Sequence, residues 1–128
     1  MTARLLFIAT ACLLPIVCSA SEQADVKSAI EQSKTIEGEF KVALDYRMKA
    51  LNILAERLDR AMGMCTKDRK FPLTFDIVVF ISASGTVERI LYWPKSPFGG
   101  CVAREFKTLR FPPPKHPPYI LPLGITKS

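Results

Sequence analysis

The stretch that most limits what this chain can become lies between residues 71 and 93, where β-branched and aromatic side chains crowd both sides of Ala83-Ser84-Gly85. In an extended strand successive side chains point to opposite faces. Phe75, Ile77, Val79 and Ile81 therefore share one face, with Asp76, Val78 and Phe80 on the other. Ala83-Ser84-Gly85 reads as a turn, because glycine takes a positive φ at no steric cost, and residues 86–93 return as the second strand of a hairpin. Alternation along that second strand puts Val87, Leu91 and Trp93 on one side and Ile90 and Tyr92 on the other. Trp93 either faces the core or stands as an exposed anchor, and alternation leaves open which face the helices cover.

Helical patterns flank this hairpin. Phe40, Leu44, Leu51, Leu54, Leu58 and Met62 recur at intervals of three, four and seven, which predicts an amphipathic helix ending near Gly63. Lys41, Asp45, Lys49, Glu56, Asp59 and Arg60 fall off the stripe. A helix of some two dozen residues is about 35 Å long, and its apolar stripe suits either a core-facing role or a coiled-coil or partner contact. Residues 21–37 are polar with sparse apolar positions at Val26, Ile30 and Ile36, and Gly38 separates them from the stronger pattern. After a loop over 94–100, a second helix is expected over 100–109, with Val102, Phe106 and Leu109 inward and Arg104, Lys107 and Arg110 toward solvent. Phe111-Pro112-Pro113-Pro114 stops it, since proline cannot continue a helix. Residues 119–125 are short and apolar and read as a last strand. The order helix, strand, strand, helix, strand makes this an α+β chain.

The N-terminus bears on compartment. Arg4 precedes an almost uncharged apolar run over residues 5–17, broken only by Thr10 and Pro15, and Cys18-Ser19-Ala20 offers small residues before the polar Ser21-Glu22-Gln23. This is a secretory signal pattern with cleavage after Ala20. An apolar run of about 13 residues is short of the roughly 20 needed to cross a bilayer, so no stable span is expected after processing. Acylation of Cys18 is the alternative, against which the bulky Ile16 and Val17 and the rigid Pro15 stand. Processing removes Arg4, Cys12 and Cys18, so the 18 basic residues become 17 against 12 acidic and the formal charge falls from +6 to +5. Cys65 and Cys101 then remain as one pair in an oxidising periplasmic or extracellular setting. A bridge between them would constrain the unfolded chain by roughly 3 to 4 kcal/mol; two separate buried thiols are the other reading. The division is a signal peptide over 1–20, a polar helical extension over 21–39, and a helix plus domain over 40–128.

At 128 residues and 48% hydrophobic, the chain holds one domain and is far too apolar to be disordered. Catalytic parts are missing. A general base needs a histidine or buried carboxylate near a nucleophile, whereas the one histidine, His116, sits in Lys-His-Pro-Pro and Ser82, Ser84 and Ser96 fall in turn segments. No phosphate loop, His-Glu-x-x-His or paired-carboxylate signature is present, and neither cysteine has further ligands nearby for zinc. The expectation is a non-enzyme with no catalytic residue, no metal and no cofactor. A pI near 9.3 invites a nucleic-acid reading, but the basic residues are dispersed, with Lys67, Arg69 and Lys70 as the tightest group. No nucleic-acid partner is expected.

Ser84-Gly85-Thr86-Val87, then Ser96-Pro97 and Gly99-Gly100-Cys101-Val102, then Leu109-Arg110-Phe111-Pro112-Pro113-Pro114 and a closing apolar strand follow one another in an order that resembles the TonB C-terminal-domain-like superfamily. The resemblance covers roughly residues 60–125. It implies a compact two-layer domain, a three-stranded antiparallel sheet backed by helix, that works by binding other proteins or peptides rather than by catalysis; with the long helix read from the apolar stripe, the whole is a long N-terminal helix followed by β-β-α-β. Secreted members with a cysteine before the first strand and another at the start of the second helix match Cys65 and Cys101. The chain departs from energy-transducing members in lacking their long proline-rich spacer and the Tyr-Pro motif that precedes the first strand, so force transduction is not carried over.

Two functions from different classes follow. The first is a non-catalytic periplasmic or cell-envelope interaction module that binds a protein or peptide, with Tyr119, Ile120, Leu121 and Leu123 at a sheet edge open to strand addition and Trp93 and Phe98 as aromatic anchors. The second is an immunity-type or inhibitor protein that neutralises an exported toxin or hydrolase through the charged helix face and the loop over 93–99. Homodimerisation through the long helix or the strand edge is a further expectation.

Overall fold

The computed structural model describes residues 15–39, 43–67 and 74–126. Most of the expected signal segment (residues 1–14), Phe40 of the apolar stripe and Lys41 off it, and Arg69 and Lys70 of the basic group lie outside the described residues. The elements run α1 (Pro15–Glu39), α2 (Ala43–Cys65), β1 (Thr74–Ile81), β2 (Val87–Trp93), α3 (Pro97–Phe106) and β3 (Tyr119–Thr126). The fold is α+β, helices followed by β-β-α-β, with one three-stranded antiparallel sheet in the order β2-β1-β3.

Both faces of the sheet are covered. Phe75, Ile77, Val79 and Ile81 of the central strand join Ala50, Leu54, Ala61 and Cys65 of α2, Phe98, Val102 and Phe106 of α3, and Tyr119 and Leu121 of β3 in the main core. On the other face Val78 and Ile120 are buried against Val26 and Ala29 of α1, with Phe80, Leu91 and Trp93 around them. The polar first helix is thus a packed layer, and its few apolar residues, which give almost no amphipathic signal, suffice because the sheet beneath is narrow. Among the described residues no helix is long and apolar enough to cross a membrane.

Several expectations are corrected in detail. Helix α2 runs past Gly63 to Cys65; a methyl at Gly63 would meet nothing within 4 Å, so the glycine is an exposed helical position and no terminator. Leu44, assigned to the buried stripe, is 65% exposed. The inward face is carried by Ala50, Leu54, Ala61 and Cys65, three of them small residues. Helix α3 begins at Pro97, three residues early, because Ser96 caps it: its Oγ accepts from Gly99 N at 3.0 Å, and proline fits the first helical position. Val87 lies on the same face as Ile90 and Tyr92 rather than with Leu91 and Trp93. Pairing shifts from Phe80↔Arg89 to Ile81↔Val87, so Glu88 is the extra residue of a β-bulge and reverses the alternation beyond it.

The bridge Cys65–Cys101 closes at S–S 2.03 Å and fastens the last residue of α2 to α3. Arg57 adds a second tie, donating to Glu105 O at 2.9 Å and Thr108 Oγ1 at 2.7 Å near the C-terminal end of α3, where unpaired carbonyls accumulate. Gly85 links the hairpin to the proline-rich exit. Its φ is +86°, its N donates to Ser82 O at 3.0 Å, and its carbonyl accepts from Phe111 N at 2.9 Å. A Cβ there would stand 1.9 Å from Phe111 O.

Candidate interaction edge

Strand β3 is an edge strand because β1 lies between it and β2. Which of its backbone groups face outward follows from the hairpin. Ser82 N donates to Thr86 O at 2.8 Å, so the even-numbered residues of β1 turn their N–H and C=O toward β2 and the odd-numbered ones toward β3. The bulge sits on β2 and leaves this parity of β1 intact. Ile81↔Tyr119, Val79↔Leu121, Ile77↔Leu123 and Phe75↔Ile125 are then the hydrogen-bonded pairs of the β1–β3 ladder. The intervening residues Ile120, Pro122, Gly124 and Thr126 point their backbone groups away from the sheet. Pro122 has no N–H, and at an outward position that costs the ladder nothing, which is how proline is tolerated in edge strands. Beyond the buried Ile120, the open edge therefore offers the N–H groups of Gly124 and Thr126 and the carbonyls of Pro122, Gly124 and Thr126, with a gap in the donor row at Pro122.

The side chains singled out from sequence are divided by this geometry. Tyr119, Ile120 and Leu121 are buried in the two cores, and Leu123 is half-buried. Phe98 is fully buried, edge-on to Phe75 with ring centroids 5.3 Å apart. Trp93 is half-buried in the α1 layer. The structure therefore brings the β3 residues together along one edge, places Trp93 on the opposite edge strand, and leaves Phe98 inside. What β3 presents outward is chiefly backbone. The loop over 94–96 exposes Lys95, whose Nζ lies 3.8 Å from the Tyr92 ring centroid, a cation–π contact.

At the start of β3, Tyr46 of α2 meets Tyr119 edge-on at 4.7 Å and its Oη donates to Pro112 O at 2.8 Å. Burial, helped by the neighbouring Tyr119, pushes the Tyr46 hydroxyl up to about 12. This contact pins the proline-rich exit to α2 and so aims β3 into the sheet.

Beside the other end of β3 lies a feature that sequence reading did not pick out. Asp76 of β1 stands opposite Trp93 on one side and Gly124 on the other, on the α1 face of the sheet, and is exposed. Its Oδ1 lies 3.3 Å from where a Cβ of Gly124 would be. Pro122 and Gly124 within an apolar strand were the available signals, the first for an edge and the second for a close approach.

Among the described residues no group of three or more His, Cys, Asp or Glu side chains is arranged to hold a metal ion. No protein-family model matches the chain, and comparison with curated proteins and with solved structures likewise gives no match.

Proposed function

We propose that this protein is a non-catalytic interaction module of the cell envelope that takes an extended segment of a partner protein by strand addition along β3. The observation that carries the reading is the β3 edge, where the N–H groups of Gly124 and Thr126 and the carbonyls of Pro122, Gly124 and Thr126 point outward from a strand whose first residues anchor it in the cores. Main-chain hydrogen bonds of this kind supply affinity with little dependence on side chains. The sequence likeness to TonB C-terminal-like domains and the disulfide of an oxidising compartment support it.

The test is capture from envelope extract on the oxidised chain, beside a variant carrying Gly124→Pro and Thr126→Pro. Both substitutions remove outward donors and leave the odd-numbered ladder partners alone. Strand addition predicts that captured proteins are lost with the variant while its circular dichroism is unchanged. Capture that survives in a folded variant would refute the edge as the binding site. Truncating β3 would be uninformative, because Tyr119, Ile120 and Leu121 belong to the cores.

A further inference from the structure

We infer that the segment added to β3 carries a lysine or arginine at the residue opposite Gly124, and that Asp76 receives it. The inference rests on the strand-addition reading and specifies its partner. Asp76 is one strand in from the edge, and neighbouring strands are about 4.8 Å apart, so an added strand lies about 9.6 Å from it. An ordinary side chain at position 124 would stand between the two. Gly124 has none, and the Asp76 carboxylate already leans into that space, with Oδ1 at 3.3 Å from the missing Cβ. From the next strand out, the Cα of a residue opposite Gly124 is then a single inter-strand spacing from Gly124, well within the reach of a lysine or arginine side chain laid across the glycine. Asp76 is exposed, and among the described residues no cation is paired with it. Within the sheet its neighbours on this face are Thr74 and Val78 of β1, Leu91 and Trp93 of β2, and Pro122, Gly124 and Thr126 of β3, none of them charged. An acidic residue on the added strand would meet the carboxylate across the same gap and be repelled.

The probe is a tethered strand, which gives a weak edge contact a high effective concentration. The full chain is extended beyond Ser128 by a flexible linker and a ten-residue strand in which threonine alternates with lysine, leucine or glutamate. Amide hydrogen exchange of Gly124 and Thr126 is then measured in each version. The expected result is protection in the order lysine, leucine, glutamate, with the lysine strand roughly two- to five-fold more protected than the leucine strand, the range for an exposed ion pair. Asp76→Asn should erase that advantage, and so should high salt. Equal protection by lysine and leucine strands would overturn the assignment of Asp76 while leaving the edge reading intact. No protection by any of the three strands would remove the edge reading and this inference together.

Discussion

Replacing Gly85 with alanine tests the coupling between the hairpin turn and the proline-rich exit. Two costs are set by the structure. An L-residue at φ +86° is held in the left-handed region, for about 1 to 2 kcal/mol. The new Cβ would also fall 1.9 Å from Phe111 O, far inside contact distance and against backbone, so the Phe111 segment must withdraw. That breaks the bond from Phe111 N to Gly85 O, worth about 1 kcal/mol, and disturbs a phenylalanine that is 5% exposed and packed in the main core. The strained φ and the lost hydrogen bond together come to about 2 to 3 kcal/mol before any loss of Phe111 packing, a large part of the roughly 5 to 15 kcal/mol that holds a domain together. The assay is urea unfolding of the oxidised protein followed by circular dichroism, with Gly63→Ala as control. At Gly63 nothing lies within 4 Å of the new methyl, so alanine should be neutral or stabilising by up to about 1 kcal/mol through helix propensity. A Gly85→Ala protein within about 0.5 kcal/mol of the parent would refute the argument, because neither the strained φ nor the clash could then be real.

Three further outcomes are expected. Reducing the Cys65–Cys101 bridge should lower the urea stability by roughly 3 to 4 kcal/mol, checked by unfolding with and without reductant. Ser96→Ala should cost about 1 kcal/mol in thermal unfolding, since Gly99 N loses the Oγ that caps α3. Tyr46 ionises near 12 when folded against 10 when unfolded, so its contribution is fully present below pH 10 and is lost as pH rises through about 12. Ultraviolet titration of tyrosinate should show a late-ionising hydroxyl that disappears in Tyr46→Phe.

How far the sequence foretold the molecule depends on the kind of signal. The hairpin, the second helix and the last strand were readable because period-two alternation, proline stops and the Ser84-Gly85 turn are local. The disulfide was readable by subtraction once Cys12 and Cys18 are assigned to a signal segment. The side of β2 on which Val87 falls was not, because one inserted residue, Glu88, reverses alternation and carries no compositional mark. The inward face of α2 was misjudged where Ala50 and Ala61, too small to register as apolar landmarks, outrank Leu44. The edge position of the last strand was expected, but the division of its groups was not. Which side chains enter the core and which backbone groups point outward depends on register with β1, a long-range property. Asp76 and Gly124 are 48 residues apart in numbering and meet only through that register.

The most direct measurement is residue-resolved amide exchange along β3, in the oxidised chain alone and bound to whatever protein it captures from envelope extract. Strand addition predicts that Leu121, Leu123 and Ile125 are protected in both states, while Gly124 and Thr126 exchange quickly alone and become protected in the complex. A stable complex in which those two amides exchange as fast as in the free chain would contradict the account.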